Sequence, residues 1–175
     1  MKYYPINLDI RDKKIIVIGG GSVAHQKVIG LLEGGAQITL ISPHLSAEIV
    51  ELQKEKRISV IQRSYQKGDL EGAFLVFGAT NHPEINQQIH KEARERGILF
   101  NAVDQPEECD FTIPSRISRG ELLITISTGG KAPFLAKAIR KKLESIFGPE
   151  YGELVNLAGK WRKSFIRTKK KNFPA

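Results

Sequence analysis

Ile15-Ile16-Val17-Ile18-Gly19-Gly20-Gly21-Ser22-Val23-Ala24 decides the reading of this chain. Four apolar residues run straight into three glycines, and a helix-compatible stretch follows. Taken as Gly19-x-Gly21-x-x-Ala24, it matches the G-x-G-x-x-G/A pattern of a dinucleotide-binding turn, flanked by the strand and helix that the pattern requires. Gly19 permits the tight turn, Gly21 lets the backbone approach a pyrophosphate, and Ala24 lets the helix lie close to the sheet. Ser22 and Val23 begin a helix whose first N–H groups face an anion.

Downstream, the pattern repeats strand and helix. Residues 14–18 form the first strand, and residues 22–33 form a helix stopped by Gly34-Gly35. Residues 37–42 are rich in β-branched side chains, Ser46 is suited to cap a short helix to about residue 56, and 58–62 is a third strand. The uninterrupted apolar run 73–79 (AFLVFGA) suits a central parallel strand covered on both faces. Asn81-His82-Pro83-Glu84 predicts a cap, a proline near N1 and a capping-box glutamate for a helix to Arg96. Residues 98–103 (ILFNAV) make the fifth strand. This alternation predicts an α/β fold, a doubly wound parallel Rossmann sheet over residues 1–110.

The pattern then changes. Residues 111–117 and 122–128 predict a hairpin turning at Ser118-Arg119-Gly120, and Pro133 opens an amphipathic helix over 134–147. Gly148-Pro149 interrupts it, and another helix is expected from 150 to 167. Residues 111–148 therefore read as a hairpin-plus-helix region and 149–175 as a short C-terminal helical segment. This part is too small to fold alone and is expected to cover its apolar surface with the first part or with a second copy.

In a doubly wound sheet, ligands bind beyond the carboxyl ends of the strands. That directs attention to Gly19–Ser22, to Ser42-Pro43-His44, to Thr80-Asn81 and to Asn101–Asp104. An acidic residue about 20 positions past the glycines usually bonds the ribose of NAD. Here Ser42-Pro43-His44 stands in its place, with no acid and no nearby cation, so the residues alone leave NAD and NADP both open. Asp104 is positioned as an acid or base at the cofactor rim, and it is equally suited to the turn before Gln105-Pro106. Ser127-Thr128-Gly129-Gly130-Lys131 places hydroxyls, glycines and a lysine before a helix, a cradle for an anion without the Walker pattern of nucleoside triphosphate sites.

Composition narrows the class. The 175 residues carry a formal net charge of +8, with 41% hydrophobic and 26% charged residues, as in a soluble globular protein. No run approaches the ~18 apolar residues of a membrane span, and no signal sequence opens the chain, so a cytoplasmic location is expected. The single cysteine, Cys109, excludes an internal disulfide, and four scattered histidines show no metal-ligand spacing. Residues 161–175 contain Arg162, Lys163, Arg167, Lys169, Lys170 and Lys171 without an acid. Such a tail suits a polyanion, a nucleic acid, a membrane surface or plain solvent, and no nucleic-acid motif accompanies it.

Several stretches together resemble the precorrin-2 dehydrogenase family of sirohaem synthesis, including the N-terminal module of bacterial sirohaem synthases. They are Tyr4-Pro5-Ile6 with Leu8, Val17–Ala24 with Lys27, Ala79-Thr80-Asn81, Asn101-Ala102-Val103-Asp104, Phe111-Thr112-Ile113-Pro114-Ser115, and Ser127–Pro133. The resemblance implies a Rossmann domain, a central dimerisation region and a C-terminal helical domain, the last shortened here. It implies oxidation of precorrin-2 to sirohydrochlorin with NAD as cofactor, and in bifunctional members insertion of ferrous iron, taken as a substrate without a fixed metal site. Asp104 falls on the family's essential aspartate. NAD contacts are expected at Gly19, Gly21, Ser22, Val23, Ala24, Ser42, Pro43, His44 and Thr80. Substrate contacts are expected at Asn101, Ser127, Thr128, Gly129 and Lys131. Thr128 stands where bacterial synthases carry a modified serine. A homodimer acting on a polycarboxylate tetrapyrrole, with neither nucleic acid nor membrane as partner, follows from the resemblance. The alternative from another class is a Rossmann module that senses NAD(H) without chemistry.

Overall fold

The computed structural model describes residues 3–103 and 107–172, with side chains as far as Lys163. The chain divides into two compact units, Tyr3–Thr112 and a second beginning at Ile113.

In the first unit, β1 (Lys14–Ile18), β2 (Gln37–Ile41), β3 (Ser59–Ile61), β4 (Leu75–Gly78) and β5 (Leu99–Ala102) form one sheet in the order β3-β2-β1-β4-β5. All four pairings are parallel. Helices α1 (Ser22–Glu33), α2 (Ala47–Lys54) and α3 (Pro83–Arg96) supply the crossovers. The doubly wound Rossmann sheet expected from the sequence is present. The strand period of two divides β1 between two cores. Ile15 and Val17 join Ala24, Val28, Leu40, Ile49 and Phe77 on one face, whereas Ile16 and Ile18 join Val76, Ile89, Ala93 and Phe100 on the other. Both faces of β1 are covered, which is why its sequence is apolar without alternation.

Several local expectations shift. β2 ends at Ile41; Ser42 keeps its N–H on the Ile61 carbonyl at 3.3 Å and begins a turn that its hydroxyl closes by donating to the His44 carbonyl at 2.7 Å. Ser46 holds the N-cap position of α2 but makes no capping bond. The cap of α3 is His82 rather than Asn81, again without a side-chain bond. The turn is closed instead by Asn86, whose amide nitrogen donates to the Thr80 carbonyl at 3.1 Å. Gly97 ends α3 in the left-handed conformation, φ 67°.

Phe111 belongs to the first unit and not to the hairpin. Its ring meets Phe77 edge-on at 5.5 Å, and its carbonyl accepts the Asn101 amide at 2.8 Å. Cys109 and Asp110 run beside the edge strand β5: Phe100 and Ala102 donate their N–H groups to Asp110 Oδ2 and Cys109 Sγ. Side chains thus pair an edge that would otherwise be open.

The chain between β3 and β4 is held by two carboxylates. Asp69 accepts both terminal nitrogens of Arg63, at 2.8 and 2.7 Å, and the Gln66 amide at 2.7 Å. Glu92, on α3 and 2% exposed, accepts the Tyr65 hydroxyl, the Gly68 amide and Arg96 Nε.

The second unit contains the antiparallel hairpin β6 (Ser115–Arg119) and β7 (Leu122–Ile126), then α4 (Pro133–Glu144) and α5 (Glu150–Asn172). The turn is Gly120-Glu121, with Gly120 at φ 57°, so Arg119 pairs with Leu122 and the hairpin is shorter than expected. α5 crosses that turn at Gly152, where a Cβ would lie 3.1 Å from the Arg119 carbonyl oxygen. It continues beyond Arg167, since Lys169–Lys171 are good helix formers and Pro174 is the next breaker. No helix among the described residues is long and apolar enough to cross a membrane.

The Arg63 guanidinium holds the Asp69 carboxyl below its ordinary range, against the opposing effect of burial. The unfolded chain therefore takes up that proton first. The stabilisation is complete above the free carboxylate pKa of about 4 and disappears as the pH falls through the lower folded value. Urea unfolding at decreasing pH should show stability falling below pH ~4, and Asp69→Asn should flatten that fall while lowering stability at neutral pH by about 1–3 kcal/mol.

Candidate functional site

The chain leaves β1 at the point where the sheet's connections diverge, β2 lying on one side and β4 on the other. Gly19 adopts φ +123°, and its N–H still donates to the Ile41 carbonyl at 2.9 Å. A Cβ at Gly19 would stand 2.1 Å from the Ala79 carbonyl oxygen, and one at Gly20 would stand 2.1 Å from that of His44. Gly21 differs: nothing lies within 4 Å of its would-be Cβ. It is the N-cap of α1, in extended conformation, and the helix's first internal bond runs from His25 N to Gly21 O at 3.0 Å. The N–H groups of Ser22, Val23 and Ala24 precede that bond and have no partner within the helix.

These residues open onto a cleft of about 370 Å³ at the carboxyl ends of the strands. Of the expected cofactor residues, Gly19, Gly21, Ser22, Val23, Ser42, Pro43, His44 and Thr80 all line it. Ala24 does not; it is fully buried behind the turn, in the core between α1 and the sheet. Its small size keeps the helix close, which is the packing part of the motif.

Each wall spends its polar groups on the protein itself. Ser42 is buried and its proton is committed to His44 O, so at the end of β2 the Pro43 and His44 side chains are the exposed ones. Thr80 Oγ1 lies 2.9 Å from Asn86 Oδ1 as donor. Burial, together with the Glu92 carboxylate, raises the Tyr65 hydroxyl above its ordinary range. At Glu92 burial works in the opposite direction, yet the Tyr65, Gly68 and Arg96 donors outweigh it and the carboxyl is held low. Glu92 is therefore ionised at neutral pH.

The cleft also includes Gly20 and Asn81, which lie in strand ends that the sequence marks for a ligand, and Ser64, Tyr65, His82 and Ile85, which no motif assigns to it. Gly20 carried a signal, because a third glycine in a variable position of the motif asks for an explanation. Tyr65 carried none, since its place depends on how the chain after β3 folds back.

Asn101 is buried on β5 with its amide nitrogen engaged by Phe111 O. Ser127, Thr128, Gly129 and Lys131 lie in the second unit. There Gly129 N donates to Ser127 Oγ and Ala132 N to Thr128 Oγ1, both at 3.2 Å. Gly129 and Gly130 take φ 63° and 82°, turning the chain from β7 into α4. Asp104 lies outside the described residues. Among those described, no cluster of three His, Cys, Asp or Glu side chains is placed to hold a metal ion.

Comparison with known proteins bears on this geometry. Residues 6–115 match a family model described as putative NAD(P)-binding, and residues 119–146 match one for the central part of sirohaem biosynthesis proteins. A solved structure of SirC, a precorrin-2 dehydrogenase, superposes with a TM-score of 0.75 at 31% identity, covering 88% of this chain and 76% of that one. The chain belongs to the precorrin-2 dehydrogenase family. Siroheme synthases of Vesicomyosocius okutanii and Photorhabdus laumondii are 40% and 38% identical over 93% of the chain. The chain spans about a third of the length of these synthases, 35% in both cases. The precorrin-2 dehydrogenase fold thus accounts for the glycine turn and the hairpin unit together.

The three glycines separate into two kinds. Gly20→Ala should destabilise the protein by about 1–3 kcal/mol, through the clash with a backbone carbonyl. Gly21→Ala should unfold at the wild-type temperature yet lose dinucleotide affinity by about tenfold or more, because its methyl group enters the cleft. Thermal melts with calorimetric titration of NAD check both.

Proposed function

We propose that this protein oxidises precorrin-2 to sirohydrochlorin with NAD, as a cytoplasmic homodimer. The observation that carries the reading is a cleft whose floor is bare at Gly21, in a chain that aligns over 76% of a precorrin-2 dehydrogenase.

The residues present suit a dinucleotide. Gly21 leaves room for a pyrophosphate, and the N–H groups of Ser22 and Val23 would hold it at the positive end of α1. His44 and Thr80 would flank the remainder of the cofactor. When bound, NAD supplies the acceptor for the hydride that leaves the substrate. Asp104, two positions after the last residue of β5 in sequence, would take the proton released with it. The net charge of +8 favours approach of a polycarboxylate tetrapyrrole. Asn101, Ser127, Thr128, Gly129 and Lys131 remain the proposed substrate contacts. Ferrous iron enters this reading only as a second substrate, and adding it to sirohydrochlorin without NAD reads out that activity separately.

Anaerobically generated precorrin-2 and NAD should yield NADH together with the sirohydrochlorin spectrum. Asp104→Ala should reduce turnover by at least about a hundredfold, while NAD binds as before. A folded protein that binds NAD without turning over precorrin-2 would favour the sensing module instead.

Dimerisation is supported by the second unit. Phe134 and Trp161 are 77% and 78% exposed, with Leu154 and Leu157 also open on α5. Apolar exposure on this scale marks an interaction surface. Sedimentation should give twice the chain mass, and Leu154→Glu with Leu157→Glu should shift it to the monomer.

A further inference from the structure

Tyr65 stands between two cavities. On one side it lines the cleft with Ser64, and on the other it borders a hollow of about 210 Å³ with Lys67, Gln88, Lys91, Glu92 and Glu95. Behind it, Glu92 gathers an unusual set of donors for one carboxylate. Tyr65 donates its hydroxyl, Gly68 N lies 3.0 Å from both oxygens, and Arg96 Nε lies at 2.8 Å. Burying an ionised carboxylate is costly unless its lone pairs are met, and an apolar residue on this face of α3 would avoid that cost. Two of the three donating residues belong to the chain after β3, so the carboxylate is spent on holding that chain against α3.

That chain's other long-range ties are few: Lys14 Nζ donates to Glu71 O at 2.7 Å, and Lys67 pairs with Glu95 at 3.6 Å on the surface. β3 is a three-residue edge strand. Beyond the local bonds to Asp69, this chain reaches the core through Leu70 and the Tyr65 ring, and the Tyr65 hydroxyl is fixed there by Glu92. Its position beside β2 identifies what it would contact. Ile41 is in register with Ile61, and Ser42 N donates to Ile61 O at 3.3 Å. In doubly wound sheets the end of β2 is where the adenosine ribose is held. The usual carboxylate is missing there, and Ser42 is occupied with His44. Shape at the adjoining Ser64-Tyr65 wall must then carry more of the recognition.

We propose that Glu92 is a positioning residue for the adenosine half of the dinucleotide site, acting through Tyr65 and Gly68. This rests on the dinucleotide reading given above. It assigns a function to a buried charge on the far side of the wall, outside the cleft.

The test titrates the full chain with NAD and with ADP-ribose, which lacks the nicotinamide ring. Glu92→Gln, nearly isosteric, should weaken both ligands by the same factor, about tenfold. Its kcat at saturating NAD should stay at the wild-type value while KM for NAD rises. Tyr65→Phe removes only the hydroxyl and should weaken both ligands by a smaller common factor. The double variant should bind no more weakly than Glu92→Gln alone, as expected of residues acting through one contact. Wild-type affinity in either folded variant overturns the proposal, as does a loss for NAD that spares ADP-ribose. If Glu92→Gln does not fold, Tyr65→Phe decides the matter alone. Failure of the unaltered protein to bind either ligand would instead remove the dinucleotide reading itself.

Discussion

The first unit depends on a steric constraint at the end of β1: two consecutive residues there have no room for a side chain. Carbonyl oxygens of Ala79 and His44 occupy the space that a Cβ would take at Gly19 and Gly20. The chains leaving β4 and β2 can therefore close in on the turn from both sides, and Gly19 keeps its N–H bonded to Ile41. The opening of the cleft follows from that closeness. Only at Gly21 does the backbone reach open space, and there the helix presents its unpaired N–H groups.

Around this opening the protein uses its polar side chains to hold its own loops. Ser42 closes the turn after β2, Asn86 the turn after β4, and Glu92 the segment after β3. A cleft built this way is defined before a ligand arrives, and at Gly21 it offers backbone groups in place of a charged side chain. The lack of an acid after β2 fits the proposed reading, in which the cleft walls take the place of a single ribose contact.

The second unit follows a different principle. Its hairpin and helices leave large apolar side chains in solvent, among them Phe134, Leu154, Leu157 and Trp161. The first unit, by contrast, covers both faces of its sheet with its own helices. An apolar stripe in a helix looks the same in sequence whether an intramolecular neighbour or another copy covers it. Periodicity placed α4 and α5 correctly to within a few residues and could not say what would cover them.

The parallel sheet was legible in the sequence, because Ile15–Ile18 of β1 and Leu75–Phe77 of β4 are apolar without alternation and glycines punctuate the strand and helix ends. The glycine turn was equally legible, since strand, glycines and helix are contiguous and the constraint is local. Tertiary structure decided the rest. Phe111 left the hairpin because Phe77 and Asn101 were available to it. Gly20 proved as constrained as Gly19, and Ala24 proved to lie behind the cleft. Tyr65 reaches the cleft through contacts with residues distant in sequence, its ring packing in the core with Ile89 and Ala93 and its hydroxyl bonding Glu92 of α3. Motifs record what neighbouring residues do for one another. The walls of this cleft come from loops that meet only once the sheet has formed, and no local pattern could carry that information.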